Sequence, residues 1–211
     1  MTVADRSGKP LRQQRGHARI ARLLEAAAEV IAESGVEGLT MAAVGQRSGS
    51  SPGTVYQFFA NKEALVTALA EQSAAAVERA FDDAIAAWIA SSLLSADAFI
   101  DALFSPMLKI YRNEPAWLEL LHALSRRGEP GAIESRLDQN LIERLGTALA
   151  ALSPQATERS RELAAAMLLE VGHAGLGLVS ASRQPEAMDV ELRRCLKAYL
   201  SAWQASVGDN R

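Results

Sequence analysis

The chain has 211 residues, enough for one large or two small domains, and 49% of them are hydrophobic, which suffices for a sizeable core. No stretch approaches the roughly 18 uninterrupted apolar residues of a membrane span, the polar, basic N-terminus does not read as a secretory signal, and the single cysteine, Cys195, excludes an internal disulfide framework and fits a reducing cytoplasm. The net charge of −3 conceals an asymmetry: residues 1–62 hold eight Lys and Arg against five Asp and Glu, a net +3, which leaves −6 on the remainder. A basic front on an acidic body suits nucleic-acid contact at one end only, although a solvated basic tail is the plainer alternative.

Abundant alanine and the absence of long β-branched runs with period-two alternation predict an all-α fold of about nine helices. Residues 1–15, polar and basic with Gly8 and Pro10, read as a mobile arm. From His17 to Ser34, Ile20, Leu23, Leu24, Ala27, Val30 and Ile31 recur at helical spacing, and Gly35 is a stop signal. Thr40 is a good N-cap for a second helix, with Leu39 and Val44 placed to form a hydrophobic staple, and Gly49 ends that helix. Ser51 as N-cap and Pro52 at the first helical position start a third. Asn61 caps a long fourth, carrying Leu65, Leu69, Val77, Phe81, Ile85 and Trp88.

The third helix is unusual. Val55, Phe58 and Phe59 stand at i, i+3 and i+4 and are expected to pack together on the first two helices. The rest of its surface is small or polar: Gly53, Thr54, Tyr56 and Gln57. Ser51, Pro52 and Gly53 begin it with little bulk, allowing close backbone approach to a phosphate strand. Glycine in a helix costs roughly 0.8–1.0 kcal/mol relative to alanine, so a functional reason for it is attractive. The hydroxyls of Thr40 and Tyr56 suit phosphate oxygens, and Lys62 adds a cation. Thr54 and Gln57 suit base edges, because Gln pairs bidentately with adenine and a Thr methyl can touch a thymine methyl. The plain alternatives are a simple turn at residues 51–53, a core tyrosine at 56 and a solvated lysine at 62.

Residues 17–65 resemble the N-terminal domain of the tetracycline-repressor (TetR) family of bacterial regulators. The resemblance runs through Gly35-Val36-Glu37-Gly38-Leu39-Thr40, Ala43-Val44, Gly49, Gly53-Thr54-Val55-Tyr56-Gln57-Phe58-Phe59 and Asn61-Lys62-Glu63-Ala64-Leu65. It implies DNA contacts at Thr40, Thr54, Tyr56 and Lys62, a helix-turn-helix domain over 16–62, and an effector-binding and dimerisation domain over 63–211. Gly45 departs from the pattern, where a larger residue is usual, and is expected to loosen the second helix.

Beyond Ala90 the breaks fall at Ser95/Asp97, Asn113-Glu114-Pro115, Gly128-Glu129-Pro130-Gly131, Ser153-Pro154 and Gln184-Pro185, and they delimit five further helices. Gly172, Gly175 and Gly177 remove bulk from an apolar helix. With Leu176, Val179, Leu192, Leu196, Tyr199 and Trp203 they form a candidate four-helix interface with a second copy, or else an intramolecular core. Trp88, Phe99, Phe104, Met107, Leu108, Trp117 and Leu121 form an aromatic and aliphatic set. Together with the polar His122, Glu170 and His173 it is a candidate pocket for an apolar or amphipathic effector, although plain core is the commoner meaning of such a stripe. No phosphate loop, nucleophile elbow or HExxH pair is present, and one cysteine with three dispersed histidines builds no metal site, so neither catalysis nor a cofactor is expected. The expected function is a ligand-responsive, dimeric repressor of a palindromic double-stranded operator in the cytoplasm, with no membrane partner. The competing reading is a helical small-molecule-binding or interaction protein that keeps the helix-turn-helix shape without binding an operator.

Overall fold

The computed structural model describes residues 8–113, 116, 117, 120 and 132–208, with only the backbone described at 8–13 and 132. Among them are eight helices and no strand: α1 (Gly8–Gly38), α2 (Met41–Arg47), α3 (Pro52–Phe58), α4 (Lys62–Ala90), α5 (Ala96–Asn113), α6 (Ala132–Leu152), α7 (Glu158–Ala181) and α8 (Pro185–Gly208). Ala116, Trp117 and Leu120 are helical, at the place of the expected sixth helix. The chain divides into two compact units. One comprises residues 1–72 with 115–126, and the other 73–114 with 127–211.

In the first unit α1 begins at Gly8, so residues 8–15, expected as an arm, are helical. Pro10 lies in the first turn, where its missing N–H breaks no helical bond. The helix is interrupted at Gly35 (φ 69°, ψ 173°), a left-handed conformation that glycine adopts without steric cost. Leu23, Ala27, Ile31, Leu39, Val44, Val55 and Leu65 are almost wholly shielded from solvent and form one core with Ala116 and Leu120. Burying such side chains contributes roughly 1.5–3 kcal/mol each.

In the second unit α7 packs against α6 and α8, and α5 packs against α7 and α8. Arg144 of α6 bridges to Asp82 and Glu78 of α4 at 2.8 and 3.6 Å, while Asp101 of α5 takes Arg193 and Lys197 of α8 at 3.3 and 2.7 Å. These partly exposed pairs fix helix register more than they stabilise. The N-cap of α7 is Thr157, which accepts from the Ser160 N–H at 3.2 Å. The expected signal at Ser153-Pro154 instead forms the preceding turn, in which Ala156 N donates to Ser153 O. Of the described helices, α7 is long and apolar enough to cross a membrane by length and composition, with a mean hydropathy of 1.5. The value arises because α7 has apolar residues on two faces. Ala164, Leu168, Leu176 and Val179 are buried in the unit, while Leu163, Met167 and Leu178 are open.

Candidate nucleic-acid interface

The connection between α2 and α3 is drawn tight by Gly45. A Cβ there would lie 3.0 Å from the Ser50 carbonyl oxygen and 3.2 Å from the Pro52 nitrogen. The Ser50 N–H donates to the Gly45 carbonyl at 2.8 Å. Gly49, with φ of 65°, makes the reversal. The expectation that Gly45 loosens α2 is therefore corrected: the missing side chain lets the turn backbone close onto the helix.

Ser51 then caps α3. Its Oγ accepts from the Thr54 N–H at 3.2 Å and lies 3.0 Å from the Thr54 hydroxyl. Val55 and Phe59 turn inward and are buried. Phe58 does not join them. It is the last residue of α3 and is 36% exposed, whereas Phe59, in extended backbone (φ −130°, ψ 116°), is the one that reaches the core. The opposite side carries Pro52, Gly53, Tyr56 and Gln57, all exposed, with Thr54 half-buried at its edge. Tyr56 is 55% exposed, so it is not a core tyrosine. Around Gly53, a Cβ would meet nothing nearer than Ser51 Oγ at 3.8 Å. Intramolecular packing thus accounts for Gly45 and leaves Gly53 without an internal reason.

The flanking helices end on the same short stretch of chain. Thr40 is exposed and accepts from the Ala43 N–H at 3.1 Å, which leaves its hydroxyl proton free to donate. Asn61 caps α4 by accepting from the Ala64 N–H at 2.8 Å. Lys62 Nζ donates to the Glu37 carbonyl at 3.0 Å, a bond that sequence reasoning missed because the two residues are 25 apart. The ammonium keeps two further donors. Arg47, one of the cations that made the front basic, is held by Glu33 (2.5 and 2.9 Å) and Glu29 (3.1 Å). These hydrogen bonds hold the Glu33 carboxyl below its ordinary range and push the Arg47 guanidinium further up. Arg47 therefore fastens α2 to α1. Arg15, Arg19 and Arg22 are exposed at i, i+4 and i+7, on one face of α1.

A short reading helix with an open small-and-polar face, a tight glycine turn before it and capped helices on either side is a helix-turn-helix. The family model for bacterial regulatory proteins of the tetR family matches residues 23–69, and that for the tetracyclin repressor-like C-terminal domain matches residues 95–200. The chain belongs to the TetR family. It is a transcriptional regulator with a helix-turn-helix DNA-binding domain, in a family of regulators rather than enzymes. Solved TetR-family structures are similar throughout. A transcriptional regulator from Mesorhizobium loti is 18% identical with a TM-score of 0.70, covering 91% of this chain and 98% of its own. One from Streptomyces coelicolor is 22% identical with a TM-score of 0.64, covering 87% and 98%. A fatty acid degradation regulator from Bacillus halodurans is 16% identical with a TM-score of 0.58, covering 90% and 94%. At these identities the likeness concerns the fold. No curated protein matches the chain.

The expected effector residues of this TetR-family chain are scattered. Trp88, Phe99, Phe104 and Met107 are buried in the second unit, where the Trp88 and Phe99 rings meet at a tilt of 60° with centroids 4.8 Å apart. The Trp88 indole N–H is buried without a hydrogen-bond partner, and such an orphan costs roughly 1–3 kcal/mol. Trp117 is buried and belongs to the first unit. Leu121 and His122 lie outside the described residues. Glu170 and His173 are exposed on α7. Sequence reasoning missed two neighbours of theirs, Tyr111 and Asp138, because each reads as an ordinary position of an amphipathic helix.

The expected interface residues fare differently. Gly172, Gly175, Leu176, Val179, Leu192 and Leu196 are buried by the chain's own helices. A Cβ on Gly172 would lie 2.9 Å from Phe104 Cζ, and one on Gly175 would collide with Leu192. The glycines thus admit α5 and α8 of the same chain, the intramolecular core that sequence left open. Trp203 donates its indole N–H to Ser160 at 3.0 Å, and Tyr199 is half-buried.

Proposed function

We propose that this regulator is a dimeric, ligand-responsive repressor of a two-fold operator. The observation that carries the reading is α3: its outward face is small and polar, and Gly53 has open space around it that no packing within the chain uses. Gly53 and Pro52 let the start of α3 approach a phosphate strand. Thr54 and Gln57 read base edges in the major groove, and Thr40, Tyr56, Ser51 and Lys62 hold the flanking phosphates.

Two copies associate through α7 and α8, by the faces left open in the chain rather than by the glycines. Leu163, Met167, Ala174 and Leu178 line the open face of α7, and Ala198, Ala202 and Ala205 supply a small-residue face on α8. Apolar knobs against a low-relief surface allow a close four-helix contact. The two-fold axis then sets the reading helices about 34–36 Å apart, one turn of B-DNA. An effector bound in the C-terminal domain, around Trp88, Phe99, Phe104 and Met107, favours the DNA-free arrangement and so weakens operator binding by linkage. The regulator works in the cytoplasm, where the operator is.

Selection from a random duplex pool by the full chain tests this reading. The expected product is a palindromic site with half-site centres one helical turn, or a multiple of it, apart. Enrichment of a single asymmetric half-site would refute the dimer, and no enrichment would refute operator recognition.

A further inference from the structure

The N-terminal half of α1 carries charge that nothing in the first unit answers. Between Gln14 and Leu24 the sequence has Arg15, Arg19 and Arg22 and no Asp or Glu. All three arginines are exposed, and so are their neighbours Gln14, His17, Ala18 and Ala21. A Cβ on Gly16 would meet nothing within 4 Å. This stretch therefore stands clear of the core, which α1 joins only from Ile20 and Leu23 onward. The spacing i, i+4, i+7 gathers the guanidinium groups on one face, where like charges repel. Among the described residues none of the three has an ion pair, whereas Arg47 of the same unit has two. A repulsive row without an internal partner is one that an external anion relieves.

The row has a definite direction. At about 100° per residue, Arg15, Arg19, Arg22, Ala26, Glu29 and Glu33 fall on one stripe of α1. The second half of that stripe is covered by α2. Ala26 is buried in the core that also holds Met41 and Val44, and Glu29 and Glu33 bind Arg47, the last residue of α2. Arg47 leads directly into the turn before α3. The arginines thus prolong the flank of α1 on which the helix-turn-helix is mounted. They carry it past the end of α2, Arg15 standing roughly 21 Å along the helix axis from Glu29.

We propose that Arg15, Arg19 and Arg22 form a second DNA-contacting surface, which grips the phosphate backbone flanking the half-site read by α3. Charge complementarity names the occupant, and continuity with the flank that carries α2 places it beside the reading helix. Contacts of this kind hold no base information. They add affinity and salt dependence, and they lengthen the footprint beyond the base pairs that α3 touches. The inference rests on the operator reading above and extends it outward along the duplex. The competing occupant is a second copy of the chain, whose residues 63–211 carry the net −6.

The test compares the full chain with the triple variant Arg15→Gln, Arg19→Gln and Arg22→Gln. Each is titrated over a salt series against two duplexes: the selected operator with about one helical turn of flanking DNA at each end, and the same operator trimmed at the outer edges of its half-sites. On the flanked duplex the variant is expected to bind on the order of tenfold more weakly or worse. Its salt slope should fall by up to about 2.7 per protomer, which is about 0.9 for each of three phosphates. Base preference across operator variants should stay the same, and the melting temperature should not drop, because the exchange relieves repulsion. Trimming should weaken the wild type but not the variant, so that the two converge. An affinity and slope equal to wild type on the flanked duplex overturn the proposal and leave operator recognition standing. A difference that persists in full on the trimmed duplex overturns the flanking placement. Sedimentation without DNA is read in parallel: a changed oligomeric state with unchanged DNA binding gives the arginines to a second copy and overturns the proposal. A wild-type chain that binds neither duplex overturns the operator reading and this inference with it.

Discussion

Lys62 at the start of α4 donates its ammonium to the backbone carbonyl of Glu37 at the end of α1, at 3.0 Å. One side chain therefore holds two helix ends together while keeping donors free for a phosphate. Lys62→Ala should weaken binding to every duplex alike and lower the salt slope by about 0.9 for each phosphate it no longer neutralises. It should also cost the head about 0.5–1 kcal/mol of stability, which chemical denaturation would detect. An unchanged salt slope with reduced stability would leave Lys62 only the structural part.

Gly53→Ala separates folding from recognition. The space around residue 53 is open, so the methyl is accommodated and helix stability is unchanged or raised by up to about 1 kcal/mol. Operator affinity should nevertheless fall, because the methyl stands where the phosphate strand approaches. Thermal melts and anisotropy titrations on the same preparation check both arms, and affinity equal to wild type would contradict the close approach.

Gln57 and Tyr56 are both exposed on α3 and have different predicted roles. Gln57→Ala should alter base preference at one position per half-site, at a cost of about 1–3 kcal/mol if the contact is bidentate. Tyr56→Phe should weaken all sequences by a common factor. Binding to a panel of operator variants distinguishes a changed preference from a uniform loss.

The Arg47 to Glu33 pair gives the head a pH dependence. The folded-state pKa of Glu33 lies below its ordinary value of 4.5, so the unfolded state takes up the proton first. The contribution is present above pH 4.5 and is lost as pH falls through the folded value. Arg47 stays charged throughout. The melting-temperature gap between wild type and Glu33→Gln is expected to be open at neutral pH and to close under acid conditions. A gap that stays constant with pH would mean that the pair contributes nothing.

The shared core of α1 to α3 was legible because its signals are local. Thr40, Ser51 and Asn61 cap the helices their positions predict, and Val55 and Leu65 fall on the inward face. What escaped depends on neighbours distant in sequence or on chain ends. Phe58 looked like core because spacing alone grouped it with Val55 and Phe59, yet at the last position of α3 it stays exposed. The glycines of α7 looked like an intermolecular seam because sequence cannot say whose side chain fills the space; Phe104 and Leu192 of the same chain do so. The Tyr111 ring meets the His173 ring only because the fold sets α5 beside α7.

The filled glycine seam moves the predicted dimer face. Met167 and Leu178 are 48% and 62% exposed on α7, so replacing either with Glu leaves the protomer core untouched. Met167→Glu and Leu178→Glu are expected to shift the protein from dimer to monomer in sedimentation, with little change in helix content. Variants that remain dimeric would place the contact elsewhere.

The most direct measurement is an anisotropy titration of the full chain against its selected operator and a mixed-sequence duplex, at about 50 and 200 mM salt. Operator binding on the order of 10³-fold tighter than mixed-sequence binding, with both weakening as salt rises, is the predicted result. Failure to bind either duplex at the lower salt would contradict the assignment of the open face of α3 to DNA.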